Sequence, residues 1–291
     1  MIARRLQGLV LAASVVAVAA GCGAKENAPD PIAQAAEKTA AAGSSRYSFI
    51  GTTHVRGRTI VLEGEGVIDH AGRRGRLVYD TSGFNDFDDV SEGEFGRQLT
   101  ILFLGPRYYM DFGRDSEIGR SLGPGKRWMM YDLARMGDKA GADLESLPQF
   151  ENPLEYVAFL RGVTDGAEEL GEEDVRGVAT THYRATVDLK RVTDKSADAM
   201  RVSEETREGL QREVDRLIAE TGLSSIPVEV WLDADGLVRR FVMTIEVGKG
   251  SQSVRAESRV ELHDFGVRVD VESPASAAVV DVTDLMVEER R

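Results

Sequence analysis

The chain has 291 residues, 36 basic against 49 acidic side chains, and a net charge of −13. So acidic a body argues against nucleic-acid binding, which needs a concentrated positive field, and against broad adhesion to anionic lipid surfaces. A single cysteine excludes an internal disulfide, so stability has to come from a packed core.

Arg4 and Arg5 precede an apolar run from Leu6 to Ala20, and the small residues Ala19, Ala20 and Gly21 lead to Cys22. A charged start, an apolar middle and a small-residue cut site are the parts of a secretion signal. A membrane-spanning helix needs roughly 20 apolar residues, and only about 15 are present. A cysteine at the cut site resembles the lipobox of bacterial lipoproteins. That resemblance implies that residues 1–21 are a signal peptide and that Cys22 is lipidated and becomes the new N-terminus, with 22–29 a short spacer. The expected location is the outer, extracytoplasmic face of the cell membrane, held by the covalent anchor. Removing Arg4 and Arg5 leaves a mature charge of −15.

Asp30-Pro31 gives an N-cap followed by proline at the first helical position. Ile32, Ala35, Ala36, Thr39 and Ala40 then recur at helical spacing, so 31–42 is an amphipathic helix ending near Gly43. From Arg46 the period becomes two. Strands are expected at 46–55, 59–69 and 73–82, with turns at Arg56-Gly57 and Ala71-Gly72. Leu77 and Tyr79 take one side of the third, and Arg74, Arg76 and Asp80 the other. An acidic loop, 83–94, separates these from strands at 97–104, 107–112 and 126–131. Gly105-Pro106 and Gly123-Pro124-Gly125 are the breakers between them.

The middle is helical, with a short helix at 132–140 and a clearer one from Asn152-Pro153 carrying Leu154, Val157 and Leu160 on one face. Strands resume at 167–175 and 178–189, turning at Arg176-Gly177. Ser203 caps a longer helix through Thr221, with Leu210, Val214, Leu217 and Ile218 in one stripe. A meander of 226–233, 237–247 and 253–265 follows, then a closing segment from Ser273. Short connections make the sheet antiparallel, and its apolar side needs a helical cover. The fold class is α+β, a curved antiparallel sheet of eleven strands with helices covering the concave face.

No catalytic constellation emerges. His54, His70, His182 and His263 are isolated, no pair has zinc spacing, and no cysteine is left for a metal. An enzyme would need His182 or His263 to converge with carboxylates in a cleft, which the spacing does not suggest. Gly123-Pro124-Gly125-Lys126 reads as a turn rather than a phosphate loop. Asp86, Asp88 and Asp89 depart from the calcium-loop pattern and read as a solvated loop. Glu168, Glu169, Glu172 and Glu173 mark an exposed sheet edge. No metal and no cofactor are expected.

What remains is bulky apolar surface: Phe49, Leu62, Leu77, Tyr79, Leu99, Ile101, Phe103, Tyr108, Met110, Trp128, Met130, Trp231, Phe241, Met243 and Ile245. These side chains either fill a core between sheet and helices or line an incompletely filled space wide enough for acyl chains.

The lipobox, the helix Asp30–Ala40 and the strand Ser45-Arg46-Tyr47-Ser48-Phe49 together resemble the start of the actinobacterial LppX/LprG-type lipoproteins. Thr180–Leu189, Ile226–Asp233, Leu237–Phe241 and Leu262-His263-Asp264-Phe265-Gly266 extend the resemblance over nearly the whole mature chain. It implies a LolA-like half-barrel over 30–291, with an apolar cavity for acyl chains and no catalytic residues. Its implied ligand is a lipid or acylated glycolipid. Its implied partner is an envelope transporter or another membrane protein, and its role lipid carriage. An envelope sensor of the same fold, bound to a membrane protein, is the alternative, and a fully packed structural lipoprotein a third.

Overall fold

A computed structural model describes residues 31–55, 57–69, 73–83, 93–94, 96–140, 160, 166–200, 203–248 and 253–288. Cys22, His70, the acidic residues 86–92 and the helix start at Asn152 lie outside the described residues.

Twelve strands join one sheet. They are β1 (Ser44–Val55), β2 (Arg58–Asp69), β3 (Arg74–Asp80), β4 (Gln98–Leu104), β5 (Arg107–Asp111) and β6 (Trp128–Asp132). After the helical middle come β7 (Glu168–Val175), β8 (Val178–Asp188), β9 (Ser225–Asp233), β10 (Val238–Val247), β11 (Val254–His263) and β12 (Val279–Asp281). Across the sheet the order is β12-β6-β5-β4-β3-β2-β1-β11-β10-β9-β8-β7. Two meanders therefore meet where the first strand pairs with the eleventh, Tyr47 opposite Leu262. Every expected strand forms, and β7 is the edge that its carboxylates marked. The twelfth was not expected: β12 docks parallel on β6, Val279 opposite Trp128.

The helices are α1 (Pro31–Ala41), α2 (Glu117–Ser121), α3 (Leu133–Ala140), α4 (Leu189–Met200), α5 (Glu204–Thr221) and α6 (Thr283–Glu288). Helices α2, α4 and α6 lie where no helix was expected. Asp188 ends β8 and its carboxylate accepts from the Arg191 amide, so the same residue stops the strand and caps α4. Ser203 caps α5 as expected, and Gly222, at φ 75°, ends it.

Strand parity sorts the side chains. On one face Tyr47, Ile68, Leu77, Ile101, Phe103, Tyr108, Tyr131, Phe241 and Leu262 form the main core, together with Ile32, Ala35 and Ala36 of α1 and Leu133 and Met136 of α3. Leu160 is fully buried in the same cluster. Helix α1 is pinned by Thr39, whose buried hydroxyl accepts the Val238 amide at 2.9 Å. Two inward positions of adjacent strands are glycines because rings occupy their space. A Cβ on Gly66 would strike the Tyr47 ring and the Arg76 carbonyl, and one on Gly75 would strike the Phe103 ring.

Candidate functional site

The apolar face is unevenly covered. Its fully covered part holds an aromatic row across three strands: Phe103 stacks on Tyr108 at 6.0 Å, and Tyr108 on Tyr131 at 5.2 Å. By contrast Phe49 on β1, Tyr79 on β3, Leu99 on β4 and Met110 on β5 are only half-buried against the core, as is Ile245 on the other meander. Phe49 and Tyr79 meet edge to face at 5.9 Å. Leu62, opposite Gly51 in the register, is also half-buried.

The fifteen apolar residues singled out from the sequence therefore divide three ways. Leu77, Ile101, Phe103, Tyr108, Phe241 and Met243 are buried core. Phe49, Leu62, Tyr79, Leu99, Met110 and Ile245 form the half-covered end. Trp128, Met130 and Trp231 lie on the opposite face, and their expected place beside the others is corrected by the register. Trp128 and Met130 share the parity of Asp132, while Met129 and Tyr131 point inward. They pack with Leu102, Tyr109 and Val271 in a second, smaller core beneath the chain leaving β11. Trp231 shares the parity of Glu229, since Val230 faces Phe241.

Trp231 anchors a polar cluster on that second face. The His182 ring stacks on its indole at 4.0 Å and 11°. Arg240 lies over the same indole at 5.2 Å. His182 Nδ1 is 3.1 Å from Glu173 Oε1 and Nε2 is 2.9 Å from Glu229 Oε2. The Trp231 indole N–H donates to the other Glu173 oxygen at 2.9 Å. That bond holds the Glu173 carboxyl below the usual range; burial opposes it, and the His182 and Arg240 charges add to it. Beyond the indole, Arg240 and Arg176 both donate to Glu261, at 2.9 and 2.7 Å. Burial pushes the Glu261 carboxyl up, but those bonds and charges outweigh it and hold it low.

The spacing argued against histidine meeting carboxylates, and the register brings them together. The arrangement is nevertheless a poor acid–base site. Both ring nitrogens are engaged, and the His182 side chain is 10% exposed. His263 Nδ1 is 3.2 Å from Asp264. His54 pairs with Thr59, at 2.9 Å. Among the described residues no group of three or more His, Cys, Asp or Glu is placed to hold a metal ion. Lys126, beside the Gly123-Pro124-Gly125 turn, donates to the Val279 carbonyl at 2.9 Å and so ties that turn to β12.

Beside the cluster, a trough of about 510 Å³ runs over the second face. Ser48, Glu63, Glu65, Asp80, Arg97 and Arg259 line it, together with Arg176 and Glu261. The sequence signal for these residues was the Glu63-Gly64-Glu65-Gly66 alternation, which puts carboxylates on one face and ring space on the other.

No family model matches the chain. It is 28% identical over 257 residues to an uncharacterised 31.2 kDa protein encoded between rplA and rplJ in Streptomyces griseus, covering 87% of this chain and 78% of that one. It is 26% identical over 264 residues to a protein of Streptomyces coelicolor that carries a provisional lipoprotein name, covering 88% and 76%. Among solved structures it is similar to the lipoprotein LppX of Mycobacterium tuberculosis, with 13% identity and a TM-score of 0.45 over 84% of this chain and 100% of that one. The chain is similar to the LppX-type lipoproteins.

Proposed function

We propose that the protein is an envelope lipoprotein, anchored through Cys22, that takes acyl chains between the apolar sheet face and the helices above it. The observation that carries this reading is the half-covered end of the sheet. Phe49, Tyr79, Leu99 and Met110 are packed on one side by the core and incompletely on the other. Adjacent large apolar side chains left in that state gain roughly 25 cal/mol for each Å² that a hydrocarbon removes from water. The mixture of rings and a methionine fits a flexible chain better than a rigid ligand. The lipoprotein name of the Streptomyces coelicolor relative supports an envelope setting. In this reading the protein carries its lipid without chemistry, and a partner of greater affinity receives it.

Native mass spectrometry of delipidated mature protein incubated with envelope lipids tests the reading. A bound lipid is expected, and Leu99→Asp, which puts a charge among these side chains, should lower its occupancy strongly. Protein that stays empty with every lipid class would sink the proposal. A mature protein found without acyl chains on Cys22 would remove the anchor from it.

A further inference from the structure

The trough on the second face is polarised across the strands that floor it. Strand β1 puts Ser48 and Ile50 on this face, neither of them charged. On the β11 side, Arg259 stands opposite Ile50 and Glu261 opposite Ser48. On the β2 side, Glu63 stands opposite Ile50 and Glu65 opposite Ser48, with Asp80 of β3 beyond Glu63. One row across four strands therefore reads Arg259, Ile50, Glu63, Asp80.

The two sides carry opposite surpluses. Glu261 is answered by both Arg176 and Arg240, and Arg259 is 3.8 Å from Glu257, so three guanidinium groups meet two carboxylates there. On the other side Glu63, Glu65 and Asp80 share Arg97, which acts on Asp80 through space. Glu63 directly opposite Asp80 is a like-charge pair, which costs stability. Among the described residues the two sides form no ion pair with each other. Two interstrand spacings, about 10 Å, separate the backbone of Arg259 from that of Glu63, and Ile50 stands between them.

We propose that the trough binds short zwitterionic peptides, with the α-carboxylate on the Arg259 side and the α-ammonium on the Glu63–Glu65 side. Three extended residues span about 10 Å, the separation of the two sides. Between the charges are groups suited to a peptide's middle. The Ser48 oxygen accepts from Arg176, which leaves its proton for a peptide carbonyl, and Gln98 offers an amide. Ile50, 40% exposed, meets a ligand side chain. A simple anion would leave the carboxylates unanswered, and a simple cation the arginines. The site lies on the face opposite the acyl-chain site and does not rest on that reading.

An NMR titration of the mature full-length protein with trialanine tests the proposal. Amides of 48–50 and 63–65 should shift. A single alanine, too short to reach both sides, should bind about fivefold more weakly, the worth of one exposed charge contact. N-acetyl-trialanine keeps only the carboxylate, so Arg259→Gln should weaken it about fivefold while Glu63→Gln with Glu65→Gln leaves it unchanged. Trialanine amide keeps only the ammonium, and the two variants should exchange roles. All three substituted residues are exposed, and the same spectra report whether the variants keep the fold. Trialanine that leaves these amides unmoved, or binds no better than alanine, overturns the proposal. So do losses that are the same whichever end of the peptide is blocked.

Discussion

The two faces of this sheet are built on opposite physics although they share every backbone hydrogen bond. On one face, rings fill the space above glycines, and stability comes from close packing. On the other, guanidinium groups, carboxylates and a stacked histidine span strands that are distant in sequence. Packing is sensitive to a single methyl group, whereas exposed ion pairs tolerate loss. The protein should therefore respond to mutation mainly according to the face that is touched, and the half-covered apolar end should fall between the two.

The largest effect is expected on the packed face. Phe103 is buried, stacks on Tyr108 and lies over Gly75. Phe103→Ala should cost about 3–5 kcal/mol in chemical denaturation. Gly75→Ala should cost about 1–3 kcal/mol, because the added Cβ meets that ring. The double variant should cost less than the sum, since removing the ring removes the main collision. It will not recover fully, for the same Cβ lies 2.8 Å from the Val67 carbonyl oxygen. Simple additivity would mean that the ring does not explain the glycine.

A buried pair at a strand turn comes next and tests whether the second face is uniformly tolerant. Asp233 is buried and has two partners, the Leu237 amide at 2.9 Å and Arg239 Nε at 2.6 Å. Asp233→Ala should cost about 3 kcal/mol, because it strands a largely buried guanidinium and removes the turn's acceptor. A loss below about 0.5 kcal/mol in the same denaturation experiment would put this pair in the exposed class.

These differences explain what was legible beforehand. The strands were, because alternation and short turns such as Arg176-Gly177 are local, and because Asn- or Gly-type punctuation is written in the chain. The face of each residue was also written there. Trp231 stands in step with Glu229, and Trp128 and Met130 in step with Asp132, but bulk was read ahead of parity. Three things were not local. Strand β12 is three residues long and pairs parallel with a strand some 150 positions earlier, its neighbouring Thr283 hydroxyl accepting the Asp132 amide. The meeting of His182 with two carboxylates depends on three strands in register and on a bulge between Glu169 and Gly171. Whether the apolar end is covered depends on how far helices reach across it, which periodicity does not encode.

Acid should erode the second face before the first. Glu173, Glu261 and Asp80 of that face are held below their ordinary range, as are Asp281 and Asp284 beside Arg135 and Lys139 of α3. A carboxyl whose pKa is lower folded than unfolded stabilises the fold above its unfolded value, and that contribution disappears as pH falls through the folded value. The melting temperature should therefore drop between about pH 5 and pH 3. Glu261→Gln should start lower and fall less steeply, because its part of the titration is gone. An unchanged slope would mean that the Arg176 and Arg240 bonds contribute nothing in solution.

The smallest effect is expected where an ion pair has no packing behind it. Arg216 and Glu220 lie one turn apart on α5, 2.9 Å from each other, with side chains 68% and 61% exposed. No described residue of α5 is buried. Such a pair is worth about 0.3–0.5 kcal/mol, less in salt, and having the base N-terminal to the acid is the weaker orientation along a helix. Arg216→Ala should therefore shift the denaturation midpoint by no more than its uncertainty, in contrast to Asp233→Ala, although both variants break an Arg–carboxylate contact of similar length. Equal losses from the two would show that distance, rather than the burial behind each pair, sets its worth, and the division between the two faces would then have to be drawn elsewhere.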